Sequence, residues 1–422
     1  MHRSDIRTHR VPGAVAAILL AAGILSGCTV DGNPVPSLPD PAALDTGPYG
    51  LEPLVAPDNH NEKHGRILES MRLGEAVIDP VEADPSLTFG LGNTASVPIP
   101  TPAAAGFLAR PVRAVLERHG MLAGFSVGGM DQGIKPELAV GRARLLTVQL
   151  LRFPDDESAR QAAAEIDTTD AAVSTDNVGI EIPNHPDAHA HWRPAVPTLA
   201  AGLAHGPFVI SVLAGHTAPD AAVLTGLVDA AFTAQIRRLA DFVPTPPDRI
   251  ATLPLDQDGM LARLLPEAPG VWPYPVVVTD RSDPNAGWRT GFDVRGVVYG
   301  PRAGLRWGEW EKTGEGRGLV LAVNGPHQLV RHPDVVAARN GFTDTGEMEA
   351  GESGVAAAPA PFGLPDARCL ESLTVPPHQA RFACRVLYRE YEGIVFGRTI
   401  RDTQQRAAAQ YVLLVRADQA DE

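Results

Sequence analysis

Lysine and cysteine are both scarce in this chain of 422 residues. Lysine occurs three times, as Lys63, Lys135 and Lys312, among 36 basic residues set against 50 acidic ones. The net charge is −14. A nucleic-acid surface needs clustered Lys and Arg, so nucleic acid is not an expected partner. The three cysteines, Cys28, Cys369 and Cys384, form no C-x-x-C pair, which removes the common zinc and thiol-redox motifs. No phosphate loop, dinucleotide fingerprint or H-E-x-x-H is present, and no cofactor is expected. Beyond the N-terminus there is no second long apolar run. Residues 198–217 come nearest, but His205-Gly206-Pro207 interrupts them, and they are expected to form two strands. What is abundant is ordinary core material. Hydrophobic residues make up 44%, which suits a globular chain of two or three domains.

The N-terminus is different in kind. Arg3, Arg7 and Arg10 precede VPGAVAAILLAAGIL, an uncharged stretch over residues 11–25. As a helix it spans roughly 22 Å, short of a ~30 Å hydrocarbon core. A basic start, a short apolar run and small residues describe a secretory signal peptide. Leu25-Ser26-Gly27-Cys28 resembles the bacterial lipobox. That resemblance implies acylation of Cys28 and cleavage just before it, so residues 1–27 are the expected leader. Two or more acyl chains anchor stably where one is marginal. Residues 28–50, with prolines at 34, 36, 39 and 41, are expected to be an extended spacer. Outside the cytoplasm, Cys369 and Cys384 are expected to pair; the alternative is two free buried thiols.

A repeat organises the rest. QLLRFPDDESARQA begins at Gln149 and QLVRHPDVVAARNG at Gln328, with seven identities in register. In both, a strand ends at Pro-Asp, and Asp155 or Asp334 is placed to cap the following helix. Farther on, Ala234-Gln235 matches Ala409-Gln410 within two more helices, over 220–242 and 399–415. In the first of these, Leu224, Leu227, Val228, Ala231 and Phe232 form one apolar face. The expected fold is α+β. Two related domains each carry an antiparallel sheet with packed helices in a β-α-β-β-α core. The first covers 51–245, the linker 246–257 and the second 258–418, with helical segments RILESMRLGEAV and DGMLARLLPEA opening them. Residues 102–120 read as an extra helix, 379–391 as one strand, and 343–361 as a solvated acidic loop.

The lipobox, the tether VDGNPVPSLPDPAALDTGPY and the C-terminal pattern of Cys384, Tyr391 and Ala408-Ala409-Gln410-Tyr411 resemble a family of two-domain actinobacterial lipoproteins of mycobacterial and nocardial type. That family is known mainly as a domain of unknown function. The resemblance implies a lipid-anchored envelope protein and carries no catalytic residues.

Three stretches could bear chemistry. Gly124-Phe125-Ser126-Val127-Gly128 matches the G-x-S-x-G of serine hydrolases, but a small glycine-rich strand and turn fits its surroundings better. His185, His189 and His191 are weak candidates for a metal site, with a solvated loop as the plainer reading. Trp307 and Trp310, near Arg302, Arg306 and Arg317, suit either a wall-sugar platform or the edge of a core. The expected function is non-enzymatic. It is that of an extracytoplasmic envelope protein, held at the cell membrane through Cys28, that binds or scaffolds an envelope protein, cell-wall or small-molecule partner. A carrier of a small or lipidic ligand or metal, and a hydrolase using Ser126, are the alternatives. The default ligand site is the interdomain cleft.

Overall fold

The computed structural model describes residues 38–91, 96–105, 108–135, 138–280, 291–306, 319–351, 353–375 and 379–421. The leader, Cys28, Trp307, Trp310 and Arg317 lie outside them. Two antiparallel sheets form the body. The first has strands β1 (Phe89–Gly90), β2 (Ser96–Pro98), β3 (Ala123–Met130), β4 (Leu145–Arg152), β5 (Val178–Gly179), β6 (His189–Trp192), β7 (Thr198–His205) and β8 (Phe208–Gly215). Their order is β1-β3-β4-β8-β7-β6-β5, with β2 also on β3. The second has β9 (Val276–Asp280), β10 (Gly291–Tyr299), β11 (Val320–Asn324), β12 (His327–Arg331), β13 (Val355–Ala358), β14 (Ala367–Ser372), β15 (Phe382–Tyr388) and β16 (Tyr391–Gly397). Their order is β13-β14-β15-β16-β12-β11-β10-β9. Six helices pack on them: α1 (Glu62–Gly74), α2 (Val112–Arg118), α3 (Asp156–Ala171), α4 (Ala221–Leu239), α5 (Val335–Ala350) and α6 (Ile400–Asp421).

The repeat is present in the topology. β3-β4-β8-β7-β6-β5 and β11-β12-β16-β15-β14-β13 follow the same path. Asp155 accepts from the Ser158 N–H at 2.8 Å, and Asp334 from Ala337 N–H at the same distance. Both caps satisfy a first-turn donor that has no partner inside its helix. Gln235 Oε1 accepts from Ile78 N–H while its Nε2 donates to Ala76 O. Gln410 does the same to Leu265 N–H and Arg263 O. Each glutamine is fully buried and ties the last helix of its domain to the segment that opens it.

Several expectations need correction. Residues 258–268 form turns instead of a helix, because the Asp256 carboxylate holds Leu261 and Ala262 N–H and Gly259 takes φ +65°. The extra helix is confined to α2, since Arg110 precedes Pro111 and the residue before a proline avoids helical backbone. Residues 379–391 are not one strand: β15 and β16 meet in a hairpin whose turn places Arg389 at φ +51°. The acidic segment is mostly ordered, its first part extending α5 and its later part forming β13. Helix α5 runs through Gly341, where a Cβ would meet the His332 ring at 2.9 Å. The spacer is not free chain from Pro41 onward. Gln405 donates to both Asp45 oxygens at 3.0 Å, Tyr49 bonds Asp402, and Leu44 packs against the second domain's core.

Cys369 and Cys384 are disulfide-bonded, directly opposite each other on β14 and β15. The closed loop contributes about 3 kcal/mol in the chain-entropy model.

The domains share one core. On β11, Val320 and Ala322 face α6, while Leu321 and Val323 join Phe125, Val148 and Phe232 of the first domain. This is the two-residue alternation of a strand put to use on both faces. Phe125 meets Tyr299 edge to face at 6.4 Å. Packing therefore fills much of the region where a cleft was expected. Among the described residues no helix is long and apolar enough to cross a membrane.

Candidate functional site

Helices α4 and α1 cover one face of the first sheet through Leu146, Val148 and Leu150 of β4. Helix α3 covers the other, and there the pattern changes. Leu151 and Val209 are apolar, but the row before them is not. Ser126, Gln149, Ser211 and Gly202 are successive partners across β3, β4, β8 and β7. Thr147 lies two residues from Gln149 on the same face, in the row that runs through Leu213 and Ala200 to His191 on β6. Opposite them, Asp167 and Asp170 are one helical turn apart on α3.

These groups enclose a cavity of about 50 Å³, lined by Thr147, Gln149, Ser211, His191, Asp167 and Asp170. Leu108 and Ile166 add an apolar edge. Glycine at 202 and alanine at 200 leave the space that larger side chains would fill. At ~10–15 Å³ for each water-sized occupant, it has room for roughly three to five non-hydrogen atoms.

The polar atoms at this face are unusual. Thr147 and Gln149 are each 2% exposed, and Ser126 beside them is fully buried. Thr147 Oγ1, both Gln149 amide atoms and Ser126 Oγ have no hydrogen-bond partner. Buried polar atoms are almost always paired, and each unpaired one costs about 1–3 kcal/mol. On the α3 side, His191 Nδ1 lies 2.7 Å from Asp167 Oδ1. A carboxylate only accepts, so Nδ1 carries the hydrogen. Nε2 faces Asp170 Oδ2 at 3.8 Å, too far for a hydrogen bond. Burial pushes the Asp170 carboxyl above its ordinary value, partly offset by His191 and by the Ala109 N–H.

The three histidines do not converge. His185 belongs to the opposite face, with Thr233 at 3.3 Å and Phe232 edge to face on α4. His189 opens β6 opposite Gly202. Among the described residues no group of three or more His, Cys, Asp or Glu is arranged to hold a metal ion. Ser126 sits in the middle of β3, so the sharp strand-to-helix turn of a nucleophile elbow is not formed. Arg302 and Arg306 are engaged with Glu82 and Asp79. Among the candidate residues only His191 reaches the cavity. Its companions are hard to recognise in the sequence because Thr147 and Gln149 each stand singly within the apolar run LLTVQLL. Their two-residue spacing, which puts both on one face of the strand, is the one signal that marks them.

A second, more open concavity of about 420 Å³ is bordered by Glu75, Glu82, Arg237, Arg238 and Asp241, with Ala76, Ala234 and Phe242 as its apolar part.

The extracellular domain of PknH from Mycobacterium tuberculosis is similar over 40% of this chain and 94% of its own, at 11% identity and a TM-score of 0.27. No curated protein matches the chain. Two family models do, the N-terminal domain of unknown function DUF7373 over residues 56–255 and its C-terminal counterpart over 260–417. The chain therefore belongs to the two-domain DUF7373 family of unknown function.

Proposed function

We propose that this is a non-enzymatic binding protein of the cell envelope, anchored through Cys28, whose first domain takes a small polar ligand. The cavity under α3 carries this reading. Three buried polar atoms on its wall, from Thr147 and Gln149, are held without partners by a rigid sheet, and Ser126 Oγ on the strand beside Gln149 is also unpartnered. A fold gains nothing from such atoms unless something else pairs with them. The apolar edge at Leu108 and Ile166 suits the exclusion of bulk water. The anchor rests on the basic and apolar leader and on Leu25-Ser26-Gly27-Cys28. A lipidic ligand has less support, because the cavity is too small for an acyl chain.

The site is tested through its cost to stability. Gln149→Leu removes both unpaired amide atoms at nearly constant volume. The ligand-free variant is expected to be more stable than wild type by about 1–3 kcal/mol in urea unfolding. A variant less stable than wild type would mean that the fold itself uses the amide, and the proposal would fail.

A further inference from the structure

The chemistry of the cavity wall is one-sided. Asp167 and Asp170 are its two carboxylates, and neither lysine nor arginine lines it. His191 is the single basic group, and its Nδ1 is spent on Asp167. Asp170 has no side-chain hydrogen-bond partner, only the backbone N–H of Ala109. The unpartnered Thr147 Oγ1 and Gln149 Oε1 add acceptors, and Ser211 adds another hydroxyl. A guest here meets a net negative wall, several acceptors, two hydroxyls that can accept or donate, and the amide donor Gln149 Nε2.

The geometry points to a small primary amine as the ligand, its ammonium group held by Asp170, Thr147 Oγ1 and Gln149 Oε1, with a hydroxyl or carbonyl oxygen beside it on Gln149 Nε2. This rests on the cavity being a ligand site. An ammonium offers three donors and no acceptor, which matches the surplus of acceptors. Its charge offsets the second carboxylate, half-buried beside Asp167. The volume admits roughly three to five non-hydrogen atoms, the size of an amino alcohol or the amine end of a longer molecule. The second domain has no such wall. The residues equivalent to Thr147 and Gln149 through the repeat are Pro326 and Gln328, and the strand partner of Gln328 is Ile394, where Ser211 partners Gln149. Near that face Glu392 is already paired with His332 and Arg385.

Three probes of matched size separate the possibilities: ethanolamine, ethylene glycol and glycolate. Binding to the full-length chain in detergent is read by saturation-transfer NMR, which detects weak ligands. Ethanolamine is expected to bind roughly tenfold or more tightly than ethylene glycol, the margin of a charge-assisted over a neutral hydrogen bond. Glycolate is expected not to bind. Asp170→Asn should remove the preference for ethanolamine, and Gln149→Leu should abolish binding of both. If ethylene glycol or glycolate binds as well as ethanolamine, and Gln149→Leu abolishes that binding, the ligand class is wrong while the site stands. If no probe binds wild type, the cavity holds only water and both conclusions fall. Should Asp170→Asn not fold, the ranking of the three probes on wild type decides.

Discussion

Glu69→Gln is expected to cost about 3–5 kcal/mol of unfolding free energy, the usual penalty for breaking a buried ion pair by removing one partner. Glu69 is fully buried on α1. Its Oε1 pairs with Arg152, the last residue of β4, and its Oε2 with Arg72 at 2.8 Å. Thr245, just beyond α4, donates to it through the hydroxyl at 2.6 Å and the backbone N–H at 3.2 Å. One carboxylate thus joins a helix, a strand and the residue just before the linker. Burial lowers the Arg152 guanidinium below its usual range, and Glu69 is what opposes that shift. Glutamine keeps the shape but leaves the guanidinium buried without its countercharge. The double variant Glu69→Gln, Arg152→Met should recover part of the loss, because the stranded charge is gone. Denaturant unfolding measures both. A single-variant loss below about 1 kcal/mol, the range of exposed ion pairs, would contradict this assignment.

Arg306→Met is expected to have a similar effect, about 3–5 kcal/mol, by a different route. Arg306 lies in the turn Ala303–Arg306 of the second domain, yet its side chain is buried in the first. The guanidinium takes Asp79 in a fork, with Nε at 2.7 Å. It also donates to the carbonyls of Leu87 and Phe89, each at 2.8 Å. Methionine fills the volume but strands a carboxylate and two carbonyls. Lysine restores the charge without the fork, so Arg306→Lys should fall between methionine and wild type. Unfolding is expected to remain one transition, since the apolar core crosses the same boundary through Tyr299, Leu321 and Val323. A separate early transition of either domain would show that the side chain, and not the shared core, holds the halves together.

Much of this architecture is legible in the amino-acid pattern, for reasons particular residues make clear. Leu224, Leu227, Val228, Ala231 and Phe232 share one face and are all buried. Asp155 and Asp334 stand where a helix must begin, because Pro-Asp stops a strand and its carboxylate caps the next helix. Gln235 and Gln410 match in sequence, and the structure gives them the same hydrogen-bonding role. The misses also have physical causes. A hairpin is sought at glycine or asparagine, and the β15–β16 turn uses Arg389 in the left-handed region. Arg302 and Arg306 look like partners for aromatic rings, and tertiary acids from another domain claim them.

The cavity is the hardest feature to foresee. Sequence periodicity marks a strand that is polar on one face and apolar on the other. Here a strand buried on both faces carries two polar residues among apolar ones, and their common destination depends on α3 lying above them. Asp167 and Asp170 are ordinary polar positions of an amphipathic helix until His191 is brought beneath them by β6.

The central claim is a small ligand in the first domain of an anchored protein. The measurement that tests it most directly is the native mass of the protein released by mild detergent from the membranes of its own cells. The expected result is a polypeptide beginning at Cys28, carrying acyl mass. It should hold one additional small molecule that is shed on denaturation and is missing from Gln149→Leu. Identical masses under native and denaturing conditions for wild type would contradict ligand binding, and a chain retaining residues 1–27 without acyl mass would contradict the anchor.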